Sequence, residues 1–183
     1  ALESWAWDGC NGEPAKVEVY ARAAQVELFI NGKSVGKKKV KKCRANFNTT
    51  YQDGEITAVS YDENGKEINR YSLQTAGKDT VLQVRPEEKT VKPEGLAFIQ
   101  LQYTDSKGIW KPMEKHNIKV TVENGVLKGL GSPAPYVKGN YTDHTVATYY
   151  GEAMAVVQAD GNGPVKVTVA DEERFYVAEI PCE

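Results

Sequence analysis

Alternating hydrophobic and polar residues run along almost the whole chain and predict β-strands rather than helices. The alternation is cleanest at residues 118–122 and 165–169, as expected for strands that bury one face. Residues 153–157 are apolar on both faces, which is typical of a central strand. No segment combines helical periodicity with a cap over three turns. The pattern therefore predicts an all-β protein.

The predicted strands form two series with turn residues between them. The first series lies at residues 16–22, 25–30, 33–40, 44–51, 55–61 and 67–73, and the second at 80–85, 96–104, 117–123, 126–130, 144–150, 152–159, 165–170 and 174–179. Between strands stand Asn31-Gly32, Asp53-Gly54, Asn64-Gly65 and Asn124-Gly125, residues that favour tight turns. At Asn31-Gly32 they predict a type I′ hairpin whose strand turns Val26, Leu28 and Ile30 to one face.

Short strands about ten residues apart are typical of β-sandwiches. The two series separate near Gly77, so we predict two tandem immunoglobulin-like β-sandwich domains, at residues 1–76 and 77–183. Because a (β/α)₈ barrel alone needs about 250 residues, the chain is too short to contain one.

Charge and hydropathy limit the kinds of partner that this chain is expected to bind. The formal net charge of −2 argues against a general affinity for nucleic acid or anionic membranes, and no apolar run approaches a membrane span. The N-terminus has no basic start or apolar stretch, so no signal peptide is predicted. A start without Met suggests that the sequence was cut from a longer protein.

Several short motifs follow one another along the two predicted domains. In the first domain they are Trp5-Ala-Trp7, Val17-Glu-Val-Tyr20, Gln25-Val-Glu-Leu-Phe-Ile-Asn-Gly-Lys-Ser-Val-Gly36, Asp53-Gly-Glu-Ile-Thr-Ala-Val-Ser-Tyr-Asp-Glu-Asn-Gly65 and Thr75-Ala-Gly77. In the second they are Leu101-Gln-Tyr-Thr-Asp-Ser-Lys-Gly108, Val122-Glu-Asn-Gly-Val-Leu-Lys-Gly-Leu-Gly131 and Tyr150-Gly-Glu-Ala-Met-Ala-Val-Val157. Their order resembles that in bacterial β-galactosidases of glycoside hydrolase family 2, in the part that follows the catalytic barrel. Gly131-Ser-Pro-Ala-Pro135 departs from the G-N-G-D-P common in that family.

The resemblance implies a non-catalytic C-terminal fragment that braces the catalytic barrel of its parent chain. The parent would be a retaining enzyme that hydrolyses terminal β-galactosides, with its two catalytic glutamates on the barrel. No catalytic residue is therefore assigned to this chain, and no cofactor is expected. The compartment is left open, with a bacterial periplasmic or secreted parent favoured.

Three tryptophans are candidate carbohydrate contacts, because an indole can stack under a sugar ring. Trp5 and Trp7 would share one face if they lie on a strand, and Trp110 is expected on a loop. The competing interpretation is that the indoles pack inside the domains or against the missing barrel. If the indoles are exposed and coplanar, an independent carbohydrate-binding module becomes the alternative function. A third alternative is a cell-surface adhesin, against which the ordered motifs argue.

Residues 37–44 hold six cationic residues in eight. They are interpreted as an edge strand protected from aggregation by lysines, with a patch that binds nucleic acid or another polyanion as the alternative.

The remaining candidates for chemistry are few. A Cys10–Cys43 disulfide is left open, and free thiols are favoured for all three cysteines. His116 and His144 are interpreted as surface residues, since nothing marks a third ligand for a metal site.

Overall fold

A computed structural model describes residues 1–136 and 139–183 of the chain. These described residues contain fourteen strands, which confirms the all-β prediction. They are β1 (Pro14–Tyr20), β2 (Gln25–Ile30), β3 (Lys33–Lys39), β4 (Arg44–Thr50), β5 (Glu55–Tyr61), β6 (Glu67–Gln74), β7 (Val81–Pro86), β8 (Leu96–Thr104), β9 (Asn117–Glu123), β10 (Gly125–Gly131), β11 (Thr145–Ala147), β12 (Glu152–Ala159), β13 (Val165–Ala170) and β14 (Phe175–Ile180). Backbone contacts divide the chain into two units, Ala1–Ala76 and Gly77–Glu183.

The first unit is a sandwich of a four-stranded and a two-stranded antiparallel sheet. The larger sheet has the order β3-β2-β5-β6, and the smaller one pairs β1 with β4. Its core contains Val26, Leu28 and Ile30 from β2 together with Ala45 and Phe47 from β4. The period-2 pattern of these strands thus faces inward, as expected when one face of each sheet is buried.

The β2–β3 hairpin confirms the turn expected at Asn31-Gly32. Asn31 has φ 49° and Gly32 has φ 76°, the two positive values that a type I′ turn requires. The register shifts by one residue between Leu28 and Phe29, so β3 carries a bulge beside Gly36. Strand β3 lies at the edge of its sheet, as the lysine-rich composition predicts.

The second unit consists of two four-stranded sheets with a shared core. Their orders are β10-β12-β8-β7 and β11-β9-β13-β14, and every strand pairing is antiparallel. The core contains Ile99 and Leu101 from β8 together with Ala155 and Val157 from β12. Two packed sheets of this kind form the predicted immunoglobulin-like sandwich.

Two details differ from the sequence-based expectations, and one alternative that the sequence left open is decided. Asn124-Gly125 does not close a hairpin, because β9 and β10 belong to different sheets; Asn124 alone has a positive φ, of 56°. The strand expected at residues 144–150 is only β11, Thr145–Ala147, because residues 149–152 turn tightly. Cys10, Cys43 and Cys182 are free, so the disulfide left open is not formed.

Candidate functional site

Trp5 is anchored inside the first unit. Its side chain is 4% exposed, and its indole Nε1 donates a 3.0 Å hydrogen bond to the carbonyl of Gln52. The carbonyl oxygen of Trp5 accepts hydrogen bonds from the Tyr51 hydroxyl at 3.2 Å and from Thr75 Oγ1 at 3.1 Å. The residues that precede β1 are therefore fixed to those that follow β6. Because the indole is buried, it offers almost no surface to a ligand within this unit.

Trp7 is half-buried and packs against the same core. Its Nε1 donates to the carbonyl of Ser4 at 3.3 Å, and its backbone N–H donates to the Tyr51 hydroxyl at 3.2 Å. Burial raises the pKa of Tyr51, so this hydroxyl stays protonated as a hydrogen-bonding hub. Residues 1–13 form no strand, so the condition under which Trp5 and Trp7 would share one face is not met.

Trp110 belongs to the second unit and is half-buried. Its Nε1 donates a 2.8 Å hydrogen bond to the carbonyl of Tyr150. Tyr150 and Gly151 both have positive φ, at 51° and 70°, in a tight turn that joins Tyr149 to Glu152. The rings of Tyr149 and Tyr150 lie edge to face with their centroids 4.4 Å apart, and both are partly exposed. This aromatic turn was not identified from the sequence, because residues 144–150 were predicted to form a strand.

A polar cluster surrounds Glu114 in the second unit. Its carboxylate contacts Lys111 Nζ at 3.0 Å, His116 Nε2 at 2.8 Å and Thr80 Oγ1 at 2.8 Å. Burial alone would raise the pKa of Glu114, but hydrogen bonds from these three partners outweigh it and lower the pKa to about 2. The carboxylate is therefore ionised and fully engaged at neutral pH.

The two histidines take structural positions. The ring of His116 lies against Tyr103, with the centroids 4.5 Å apart, so His116 is more buried than the surface interpretation implied. His144 Nδ1 lies 3.3 Å from the carbonyl of Val120. Among the residues described, no three His, Cys, Asp or Glu side chains converge as metal ligands would.

The D-x-x-G motifs of both units build the same turn. Asp62 Oδ1 accepts hydrogen bonds from the backbone of Asn64 and Lys66, and Gly65 has φ 79°. Asp105 Oδ1 likewise accepts from Lys107 and Ile109. In each case the aspartate satisfies backbone donors that the turn leaves unpaired, so these motifs have a structural role.

In the part of the chain that the structure covers, no helix is long and apolar enough to cross a membrane.

Two sandwiches with these turn motifs define an all-β architecture with two immunoglobulin-like domains. Residues 81–174 match the model of the glycoside hydrolase family 2 C-terminal domain 5. The chain therefore belongs to this family, and the resemblance seen in its motifs is confirmed. Residues 12–69 match a second family, described as a domain of unknown function (DUF4982).

Similar proteins are glycosidases of larger size. A β-galactosidase of Bacteroides ovatus is 29% identical over 171 residues, which is 90% of this chain and 20% of that protein. A putative β-glucuronidase of Formosa agariphila is 40% identical over 75 residues, 39% of this chain and 7% of that protein. A crystal structure of a glycosyl hydrolase family 2 member from Bacteroides cellulosilyticus superimposes with a TM-score of 0.91 at 26% identity, covering 100% of this chain and 24% of that one. The chain thus spans about a fifth to a quarter of the relatives that match most of its length.

Proposed function

We propose that this chain is a non-catalytic C-terminal portion of a family 2 glycosidase and that it braces the catalytic barrel. The first unit would follow the barrel directly. The parent would hydrolyse terminal β-galactosides. In support of a galactoside, the similarity to the β-galactosidase extends over 90% of the chain, whereas that to the putative β-glucuronidase extends over 39%.

The packing of Trp5 carries the bracing proposal. The segment before β1 is held by the indole bond to Gln52 and by the bond from Thr75 to the Trp5 carbonyl. A segment whose side chain is buried in a core holds the residues before it in a defined position, whereas a Gly- or Ser-rich linker does not. A brace needs such a fixed attachment, and an independently tethered module does not.

Deleting this chain from its parent enzyme tests the proposal. We expect the truncated enzyme to lose heat stability, measured as the half-life of activity at raised temperature, because the barrel loses a packed neighbour. The intact parent enzyme, assayed at ordinary temperature, should show a higher kcat/KM on an aryl β-galactoside than on an aryl β-glucuronide. Unchanged heat stability would contradict the bracing role, and a preference for the glucuronide would contradict the galactoside assignment separately.

The alternative is that the chain binds carbohydrate through its tryptophans. The observation that favours it is the half-buried Trp110 beside the partly exposed Tyr149–Tyr150 turn, since exposed aromatic rings suit sugar faces. Trp7 is a weaker candidate, and Trp5 the weakest because of its burial. In the deletion experiment, a binding module would leave activity on small aryl glycosides unchanged and lower activity only on polysaccharide.

A further inference from the structure

The turn between β3 and β4 forms one wall of a strongly basic cleft. The cleft has a volume of about 780 Å³. It is lined by Tyr20, Lys38, Lys39, Lys41, Lys42, Arg44, Ala45 and Asn46. A volume of this size lies in the range of ligand-binding pockets.

The positive charge of this region is not balanced nearby in sequence. Residues 28–52 contain seven lysines and arginines and no aspartate or glutamate, in a chain whose net charge is −2. Over residues 1–136 and 139–183, one carboxylate forms an ion pair with a cation that lines the cleft: that of Glu18, which lies 3.8 Å from Arg44 Nη1 and 3.3 Å from Lys16 Nζ. A single carboxylate shared by two cations leaves the remaining lysines uncompensated.

Some of the cations are engaged and some are not. Lys37 Nζ lies 3.4 Å from the centroid of the Tyr61 ring, and Lys38 Nζ donates a 2.7 Å hydrogen bond to the carbonyl of Asn46. Lys39, Lys41 and Lys42 are exposed. Over the described residues, no carboxylate lies within ion-pairing distance of these three side chains.

Protection of an edge strand accounts for only part of this charge. Lys37–Lys39 lie on the edge strand β3, where lysines prevent pairing with another sheet. Lys41 and Lys42 lie beyond the strand, in a turn closed by hydrogen bonds between Lys41 and Arg44. A turn offers no free edge, so its lysines need a different explanation.

The backbone of the turn is also unfavourable. Lys42 and Cys43 have φ 50° and 59°, in the left-handed region where glycine or asparagine is normally found. The fold thus places four like charges, Lys39, Lys41, Lys42 and Arg44, around a strained turn. Backbone strain of this kind is found preferentially at functional sites, and an anionic ligand would relieve the repulsion among the charges.

We propose that this cleft binds an anionic polysaccharide through carboxylate or sulfate groups. Five cations line the cleft around one turn, which suits a polymer that brings several negative charges to the same place. Tyr20, 65% exposed, presents its ring at the cleft while its hydroxyl donates to Glu18 at 2.7 Å, and can pack against a sugar face. A single aromatic side chain does not form the series of stacking platforms typical of single-stranded nucleic acid sites. The site belongs to the chain itself and does not depend on the proposed galactosidase activity.

Calorimetric titration of the 183-residue chain at low salt tests the proposal. The ligands are heparin, which is sulfated, polygalacturonate, which carries carboxylates, and neutral dextran as the uncharged comparison. We expect saturable binding to at least one of the two anionic polymers, weakened by added salt, and no binding to dextran. Comparison of heparin with polygalacturonate distinguishes sulfate from carboxylate recognition.

A triple variant, Lys39→Ala/Lys41→Ala/Lys42→Ala, should lower the affinity by about tenfold or more, because three uncompensated cations are lost. The matched control is Lys66→Ala/Lys89→Ala/Lys128→Ala, which removes the same charge from exposed positions elsewhere. We expect the control to change the affinity by less than about twofold. Equal losses in the two variants, no binding of either polymer, or tighter binding of duplex DNA would each overturn the proposal. All six side chains are exposed, so both variants should keep the thermal midpoint of the parent chain.

Discussion

The phenolic hydroxyl of Tyr103 donates a 2.7 Å hydrogen bond to Oδ2 of Asp171. Tyr103 lies on β8 and is fully buried, and Asp171 follows β13 in the opposite sheet of the same sandwich. Oδ1 of Asp171 accepts hydrogen bonds from the backbone N–H groups of Glu173 and Arg174. These bonds order the turn that leads into β14. Burial would raise the pKa of Asp171, but these hydrogen bonds outweigh it and lower the pKa. The pair thus links the two sheets through an ionised carboxylate.

Replacing Tyr103 with phenylalanine should destabilise the second unit by about 1–3 kcal/mol, because the Asp171 side chain is only 1% exposed and would lose a hydrogen-bond donor. The free energy of unfolding in urea, followed by circular dichroism, measures the change. Tyr176→Phe is the matched control: this tyrosine packs against the same core, although it is only partly buried, and in the described residues its hydroxyl makes no hydrogen bond. Equal effects of the two substitutions would show that the bond to Asp171 contributes nothing measurable.

Acid should weaken the second unit through Glu114. Its pKa is about 2 in the folded chain against 4.5 for an unperturbed glutamate, so the unfolded state binds the proton more readily. The stabilisation is therefore complete above about pH 5 and is lost as the pH falls towards 2. Allowing for solvent screening, we expect a loss of about 1–2 kcal/mol in the free energy of unfolding over this range.

Urea unfolding of Glu114→Gln at several pH values isolates this contribution. The variant should be less stable at neutral pH and should lose less stability than the parent chain between pH 5 and 2. The exposed Glu88→Gln is the matched control and should leave the pH dependence unchanged. If Glu114→Gln retains the full acid sensitivity, the contacts with Lys111, His116 and Thr80 do not hold the carboxylate in its charged form.

Substitution by alanine should destabilise the first unit to different extents at two glycines with positive φ. Gly54 has φ 122°, and a Cβ at this position would overlap the Asn31 side chain, which bonds to Asp53 and Glu55 on either side. Gly65 has φ 79°, with open space around its Cβ position. Gly65→Ala should cost about 1 kcal/mol from backbone strain alone, and Gly54→Ala should cost distinctly more. Thermal unfolding of the two variants makes the comparison, and equal midpoints would mean that Asn31 moves aside freely.

The residues of the hairpin show why most of the fold could be predicted. Val26, Leu28 and Ile30 recur at every second position of β2, and Asn31-Gly32 follows the strand, so the face it buries and its turn type follow from local chemistry. Turn residues alone did not give the right pairing at Asn124-Gly125. The same residues can connect two neighbouring strands of one sheet or two strands in different sheets.

The candidate site was less predictable, since its geometry depends on contacts between residues far apart in sequence. The burial of Trp5 is set by Gln52 and Thr75, and no pattern within residues 1–13 reveals it. Trp110 was expected on a loop, but its partner Tyr150 is forty positions away. The basic run at residues 37–44 was visible in the sequence, whereas the cleft that it lines with Tyr20 required the pairing of β1 with β4.

Titration of the chain with galactose, lactose and a soluble galactan, followed by tryptophan fluorescence, should distinguish the roles of the three tryptophans. If the chain is a brace, we expect no saturable change in fluorescence up to millimolar sugar, because the indoles serve packing. If the chain binds sugar, the change should disappear in Trp110→Phe and persist in Trp5→Phe, since Trp5 is buried and Trp110 lies beside the aromatic turn. Trp7→Phe serves as the comparison for a half-buried indole away from that turn. A saturable change that only Trp5→Phe removes would contradict both accounts, because it would require the first unit to open around its own anchor.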